Sequence, residues 1–359
     1  MPRQVTIPAR NVDPQTSDQS LRSLLLRLMR GEDLPRDEAA RFLEALIDAE
    51  ATDAQIAAAL VALACKGETV EELIGMASAM RAHAVQINST HKCFVDTAGT
   101  GSSMAKTFNV STAAAFVIAG AGLPVAKHGS KAATSRSGSA DVLTALGVNV
   151  NSVPEVSEHC LNSIGICFMF APLYHGTTAR VAGIRRQLGV HTTFNLLGPL
   201  TNPARAPRQI IGVWHRTLVE PMARVLVGLG TEHAWVVHGA DGLDEVTITD
   251  RTYVAEAKNG NVTTFEIGPE DFGLESEEIK HLGGGDPKEN AHIVRAVLDG
   301  TRRDAARSLV VANAAVALFV GGIAESLTDA ARIAEVSIDS GQARQKLEEL
   351  IRATLECGD

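Results

Sequence analysis

Aromatic side chains are scarce in this chain. Ten Phe, two Tyr and two Trp amount to 4% of 359 residues, while 45% of all residues are hydrophobic. The core must therefore be built mainly from Ala, Val, Leu and Ile. Positive charge is also short. Thirty-three Lys and Arg face 42 Asp and Glu, giving a net charge of −9. Broad binding to a nucleic-acid backbone needs a basic face and is excluded, whereas a local basic pocket for a small phosphorylated ligand is not. The five cysteines, Cys65, Cys93, Cys160, Cys167 and Cys357, are odd in number and form no CxxC pair. They fit free thiols in a reducing, cytoplasmic setting better than a disulfide framework or a zinc site. No apolar run approaches the ~20 residues of a membrane span. Residues 1–20 are polar, contain proline and lack an apolar signal-peptide core, so they read as a loose N-terminal arm.

The length suits two domains, or one large α/β domain with a helical appendage. From Leu21 to about residue 90 the pattern is helical throughout. Leu21, Leu24, Leu25 and Leu28 share one helical face, and Pro35 marks a restart. Thr52-Asp-Ala-Gln55 opens a third helix, and Thr69-Val-Glu-Glu72 opens a fourth with capping-box spacing. Beyond residue 91 short apolar runs alternate with helical stretches at 110–121, 139–146, 156–164 and 217–229. The candidate strands are Cys93–Val95, Val125–Lys127, Ile166–Phe170, Ile210–Trp214 and Ala234–His238. That alternation predicts an α/β fold, a mainly parallel central sheet flanked by helices, behind an N-terminal all-helical domain. Asn259-Gly260 between two further runs, Thr252–Ala257 and Val262–Ile267, signals an antiparallel hairpin. Residues 175–203 are expected to pack on the helical domain.

Four clusters could carry chemistry. Asp96-Thr-Ala-Gly-Thr-Gly-Ser-Ser-Met-Ala-Lys-Thr-Phe-Asn-Val-Ser-Thr112 runs from a strand through a small-residue turn into an Ala-rich helix. Asn109 and Ser111 suit a helix start whose free N–H groups face an anion. The same composition also suits a plain tight connection. Lys127-His-Gly-Ser-Lys131, with Arg136 and Ser139 close behind, gathers cations and hydroxyls at a second strand end. Open α/β sheets bind ligands at such ends, although a lone loop lysine is ordinarily just solvated. His238-Gly-Ala-Asp-Gly-Leu-Asp244-Glu245 offers two adjacent carboxylates. Magnesium takes one or two carboxylates plus substrate oxygens; a surface turn uses the same residues. Finally, Phe170-Ala-Pro-Leu-Tyr-His175 precedes Arg180, Arg185 and Arg186 and leads to Asn195-Leu-Leu-Gly-Pro-Leu-Thr-Asn-Pro203. An arginine here can hold a carboxylate in a bidentate fork, or simply be solvated.

From Leu21 to Leu350 these motifs together resemble the anthranilate phosphoribosyltransferase family. The resemblance is carried by Thr52–Ala58, Asn109-Val-Ser-Thr112, Lys127-His-Gly129, Ser137-Gly-Ser-Ala-Asp141, Phe194-Asn195, Gly198–Pro203 and Gly242-Leu-Asp-Glu245. It implies a nucleoside-phosphorylase-like fold and transfer of ribose 5-phosphate from phosphoribosyl pyrophosphate to the amine of anthranilate, in tryptophan biosynthesis. It also implies magnesium and a homodimer formed through the helical domain. Under the resemblance Gly99, Ser102, Ser103, Thr107, Asn109, Ser111, Thr112, Lys127 and Ser139 bind the donor. Ser130, Arg185 and His128 meet the acceptor, with His128 a candidate relay for the amine proton. Ser111, Asp244 and Glu245 hold the metal.

Three positions depart from the family pattern. Its GTGGDG loop reads Gly99-Thr-Gly-Ser-Ser-Met104, its KHGN reads Lys127-His-Gly-Ser130, and the arginine before Thr-x-Phe-Asn is His191. These departures are expected to cluster at substrate-facing positions. They leave open another aromatic or carboxylated acceptor, and a non-catalytic paralogue.

Overall fold

Leucine spacing at the start of the chain builds the first layer. Leu21, Leu24 and Leu28 are buried on the helix Leu21–Met29, which packs on helices Arg36–Ile47 and Asp53–Lys66, while Val70–His83 packs on Arg36–Ile47. Both expected capping boxes are formed. Thr52 Oγ1 accepts from Gln55 N at 3.2 Å while Gln55 Oε1 accepts from Thr52 N at 2.9 Å, and Thr69 and Glu72 do the same at 3.2 and 2.8 Å. Glu72 has a second task. Its buried carboxylate also accepts from Leu34 N at 2.9 Å and pairs with Lys66 Nζ at 2.9 Å, so a buried charge is both paired and hydrogen-bonded. The computed structural model describes residues 21–48, 50–101, 107–132, 136–278, 280 and 282–356. The N-terminal arm and Ser102, Ser103 and Met104 lie outside them.

The second layer is a seven-stranded sheet: β1 (Val95–Asp96), β2 (Val125–Gly129), β3 (Ile166–Phe170), β4 (Arg208–Gly212), β5 (His233–Gly239), β6 (Thr252–Lys258) and β7 (Asn261–Ile267). Its order is β3-β2-β1-β4-β5-β6-β7, with β1 to β5 parallel and β6 and β7 antiparallel. The expected hairpin sits on Asn259 (φ +52) and Gly260 (φ +78), as a tight turn with two positive φ values requires. Two strands are displaced from their expected positions. β1 starts at Val95, because Asp96 continues the pairing with Gln209 of β4. β4 starts at Arg208 and stops at Gly212, since Arg208 and Gln209 pair with His233 and Ala234.

Period-two alternation divides the sheet between two cores. Ile211, Val236 and Ala255 face the helical layer, where they join Leu43, Leu60 and Ile74; Ile210, Trp235 and Val254 face the opposite way. That opposite core is filled by helices Val110–Gly120, Ala305–Val320 and Gln342–Glu356. The helical layer therefore shares its core with one face of the sheet. Val181, Ile184, Phe194 and Leu197 of the 175–203 segment enter the same core, and Arg180 pairs with Asp53 of the helical layer at 2.7 Å.

From β1 the chain moves to β2 on one side and later returns to β4 on the other. This reversal opens a crevice at the C-terminal ends of β1, β2 and β4, where open α/β sheets take their ligands.

Candidate active site

A cavity of about 430 Å³ fills that crevice. Among the described residues its wall includes Gly99, Thr107, Asn109, Ser111, Thr112, Lys127, His128, Ser130, Ser139, Arg185, Asp244 and Glu245. Every described residue singled out above for donor, acceptor or metal thus reaches one space. Lys131 lines it as well, whereas Arg136 and Arg186 do not. His191 is not at the cavity, contrary to expectation. Its ring packs edge-on against Trp214, with centroids 4.9 Å apart, so the segment before Thr192 is held to the loop after β4.

Asp96, buried at the end of β1, anchors the floor. Its Oδ1 accepts from Ala98 N at 3.1 Å and His128 N at 3.2 Å, tying β1 to β2. Burial pushes its carboxyl up to about 6, against the pull of Lys127 and of the donors around it. Lys127 lies beside it and donates to Thr97 O at 3.1 Å, Thr97 Oγ1 at 3.2 Å and Ser111 Oγ at 3.3 Å. Burial lowers the lysine, while Asp96 and Glu245 work to keep its charge. Glu245 is pushed up to about 8, first by burial and then by repulsion from Asp244; Lys127 and the Ser111 N–H at the start of helix Val110–Gly120 oppose this. Asp244 and Glu245 raise each other's cost of ionisation in this half-buried place, which a divalent cation would relieve. Asp244, Glu245 and the Ser111 hydroxyl are hard oxygen donors of the kind magnesium takes.

The walls are held by hydrogen bonds that the sequence did not disclose. Asn109 occupies the N-cap position of helix Val110–Gly120, yet its side chain makes no capping bond. Its Oδ1 accepts instead from Ser137 Oγ at 3.1 Å and Asn290 Nδ2 at 3.0 Å, joining three segments around the cavity. Ser139 Oγ donates to Ser130 O at 3.3 Å, and Asp141 Oδ2 accepts from the N–H groups of Ala132 and Gly138 at 2.9 Å each. Gly138 has to be a glycine: a Cβ there would sit 2.4 Å from Ala132 N and 2.7 Å from Ser130 O. Ser130 and Ala132 are thereby held against Gly138, Ser139 and Asp141 beside the end of β2.

A second group of side chains on the cavity wall has a different chemistry. Arg185 donates to Thr192 Oγ1 at 2.9 Å and Asn195 Oδ1 at 3.0 Å and lies over the Phe194 ring at 5.4 Å. Among the described residues it has no carboxylate partner, and burial lowers its pKa. His128 and His175 face each other edge-on, centroids 5.1 Å apart. Burial takes them down to about 3 and about 4, so both rings are neutral near pH 7. Nδ1 of His128 lies 3.2 Å from Gly198 O. A carbonyl only accepts, so the ring proton is on Nδ1 and Nε2 presents a lone pair. The Nε2 atoms of both rings are buried without a protein partner among the described residues. In this tautomer His128 accepts hydrogen bonds at Nε2, and burial disfavours its protonated form.

Met80, from the helical layer, and Asn313, from helix Ala305–Val320, also line the cavity and were not foreseen. Nothing in the sequence marks Met80. Asn313 carried a readable sign, as the only polar residue in the apolar run Leu309–Val320.

Such a site, two loops rich in glycine and hydroxyls over a carboxylate pair at a sheet switch point, defines a class. Residues 22–84 match the helical bundle domain, and residues 91–344 the α/β domain, of the glycosyl transferase family. The chain belongs to that family. Within it, the chain is a member of the anthranilate phosphoribosyltransferases. It is 48% identical over 331 residues to the anthranilate phosphoribosyltransferase of Moorella thermoacetica, covering 92% of this chain and 97% of the relative. The crystal structure of the Thermus thermophilus enzyme superposes with a TM-score of 0.86 at 36% identity, covering 92% of this chain and 99% of that one. The Saccharomyces cerevisiae enzyme in complex with PRPP and Mg superposes with the same score, 0.86, at 28% identity over 95% and 99% of the two chains.

Proposed function

We propose that this chain transfers ribose 5-phosphate from phosphoribosyl pyrophosphate to the amine of anthranilate, releasing pyrophosphate, with magnesium as cofactor. The observation that carries the reading is one cavity lined both by Lys127, Asp244 and Glu245 and by Arg185 with two neutral imidazoles. For the donor, Lys127 and the N–H groups of helix Val110–Gly120 meet phosphate oxygens, with Gly99, Thr107, Asn109, Thr112 and Ser139 shaping the cradle. Asp244, Glu245 and Ser111 would hold magnesium there. The bound metal would offset charge on the departing pyrophosphate.

For the acceptor, Arg185 presents its charged fork to the carboxylate in exchange for Thr192 and Asn195. The neutral imidazoles of His128 and His175 accept hydrogen bonds from the amine and leave its lone pair free to attack the ribose carbon. An aromatic amine is a nucleophile without prior deprotonation, so positioning supplies most of the rate enhancement; as the carbon–nitrogen bond forms and pyrophosphate leaves, the surplus amine proton is lost to water. Ser130 also lines the cavity, which keeps a different carboxylated acceptor as the second reading. Leu26, Met29 and Val61 are exposed on the helical layer and support a homodimer formed through it.

Loss of anthranilate fluorescence on adding donor and magnesium tests the assignment. Turnover confirms it. Pyrophosphate release with other aromatic amines alone selects the second reading, and no release with any amine defeats both.

A further inference from the structure

The loop carrying Asp244 and Glu245 is fixed by a side chain that no motif includes. Asn313 sits in the middle of helix Ala305–Val320, 5% exposed, surrounded by Ala, Val and Leu. Its Oδ1 accepts from Val246 N at 3.0 Å, and its Nδ2 donates to Val246 O at 2.9 Å and Leu309 O at 2.9 Å. The amide orientation is determined, because a flipped amide would set donor against the Val246 N–H and oxygen against two carbonyls.

Val246 directly follows Glu245, so this clasp seizes both polar groups of the residue next to the carboxylate pair. The loop is closed from the other side by β4. A Cβ on Gly212 would lie 1.7 Å from Asp244 O, so the two backbones are already in contact. Leu243 is held in turn, its N–H to Asp241 Oδ1 at 3.1 Å and its carbonyl to Gly239 N at 2.8 Å. Two like charges at adjacent positions repel, and a loop free to move would let them separate. A helix interior is the stiffest place from which to prevent that.

We propose that Asn313 is a positioning residue for the metal site, acting through Val246 to hold Asp244 and Glu245 in the arrangement that takes a divalent cation together with the donor. The proposal rests on the metal-dependent transfer reading. Asn313 is given no contact with the reacting atoms.

The test compares the full chain with Asn313→Ala, Asn313→Leu, which preserves side-chain volume, and Ser337→Ala. Ser337 is a control for general destabilisation: it is buried, donates to Val117 O at 2.8 Å and is absent from the cavity wall. Mn2+ binding is read by electron paramagnetic resonance with phosphoribosyl pyrophosphate present, alongside the Mg2+ concentration for half-maximal rate and the acceptor KM. Removing a group that orients metal ligands is expected to weaken Mn2+ binding and raise the Mg2+ requirement about tenfold in both Asn313 variants. Ser337→Ala is expected to melt earlier and keep wild-type metal binding. Should Asn313→Ala fail to fold, Asn313→Leu decides. Mn2+ binding in the Asn313 variants equal to that of Ser337→Ala, or an acceptor KM rising as much as the Mg2+ requirement, overturns the proposal. Mn2+ binding that weakens in the Asn313 variants of a chain that transfers to no amine refutes the transfer reading and leaves the clasp standing. A wild-type chain that binds no Mn2+ with the donor refutes the clasp too.

Discussion

The two groups of side chains at the cavity solve opposite problems. Around Asp96 and Lys127, which are buried, and Asp244 and Glu245, which are half-buried, charges are crowded together. Around His128, His175 and Arg185, burial has removed the charge of two imidazoles and left one guanidinium on neutral partners. A polyphosphate with its metal needs fixed charge, because that is where charge develops as the bond breaks. A neutral amine needs shape and hydrogen-bond acceptors. The difference teaches that the carboxylate group should be brittle to small changes, and the imidazole group adjustable.

The largest break in this contrast is expected from Asp244→Asn. Loss of one carboxylate should lower magnesium-dependent turnover on the order of 10²–10³-fold while urea unfolding stays near wild type. Unchanged turnover would mean that the metal site is misassigned. Gly212→Ala comes next. Its Cβ would collide with Asp244 O, so urea melts should show a loss of about 1–3 kcal/mol, with the Mg2+ requirement rising alongside. Stability and metal requirement both unchanged would show that the β4 contact does not position the loop.

Arg185→Lys keeps the charge and removes the fork. The acceptor KM should rise on the order of tenfold with the donor KM nearly constant, and equal changes in both would erase the distinction between the two groups. The smallest effect concerns pH. The folded pKa values of His128 and His175 are depressed from 6.5 to about 3 and about 4, so their contribution is complete above pH 6.5 and is lost as pH falls through that window. Asp96, raised from 3.8 to about 6, acts in the opposite sense between those values, as does Glu245, raised from 4.5 to about 8. His175→Gln should therefore change the slope of unfolding free energy against pH by at most about 1.4 kcal/mol per unit between pH 4 and 6.5. An unaltered slope would show that His175 is not held neutral by burial.

Much of this organisation is legible in the sequence, for local reasons. Asn259-Gly260 fixes its hairpin through backbone conformation, and Thr52 and Thr69 cap their helices with partners three residues away. Glycine and hydroxyl residues after β1 and β2 mark the cavity because ligand-facing loops draw on a narrow set of residue types. Long-range partners were not legible. Asn109 reads as a helix cap, but Ser137 and Asn290 compete for its side chain and win. His191 reads as substrate-facing until Trp214, distant in sequence, is found beside it. Asp96 heads the first loop, yet only its burial between two strands reveals that it ties them together. Asn313 gains its meaning from Val246, 67 positions away.

Donor and acceptor are expected to meet in this one cavity and react there. Mass spectrometry of the product, run with a pyrophosphate assay on the same mixture of chain, phosphoribosyl pyrophosphate, magnesium and anthranilate, tests this most directly. Phosphoribosylated anthranilate and pyrophosphate are expected in equal amounts, both abolished when magnesium is chelated. Pyrophosphate without the ribosylated amine, or neither product at any magnesium concentration, would contradict this.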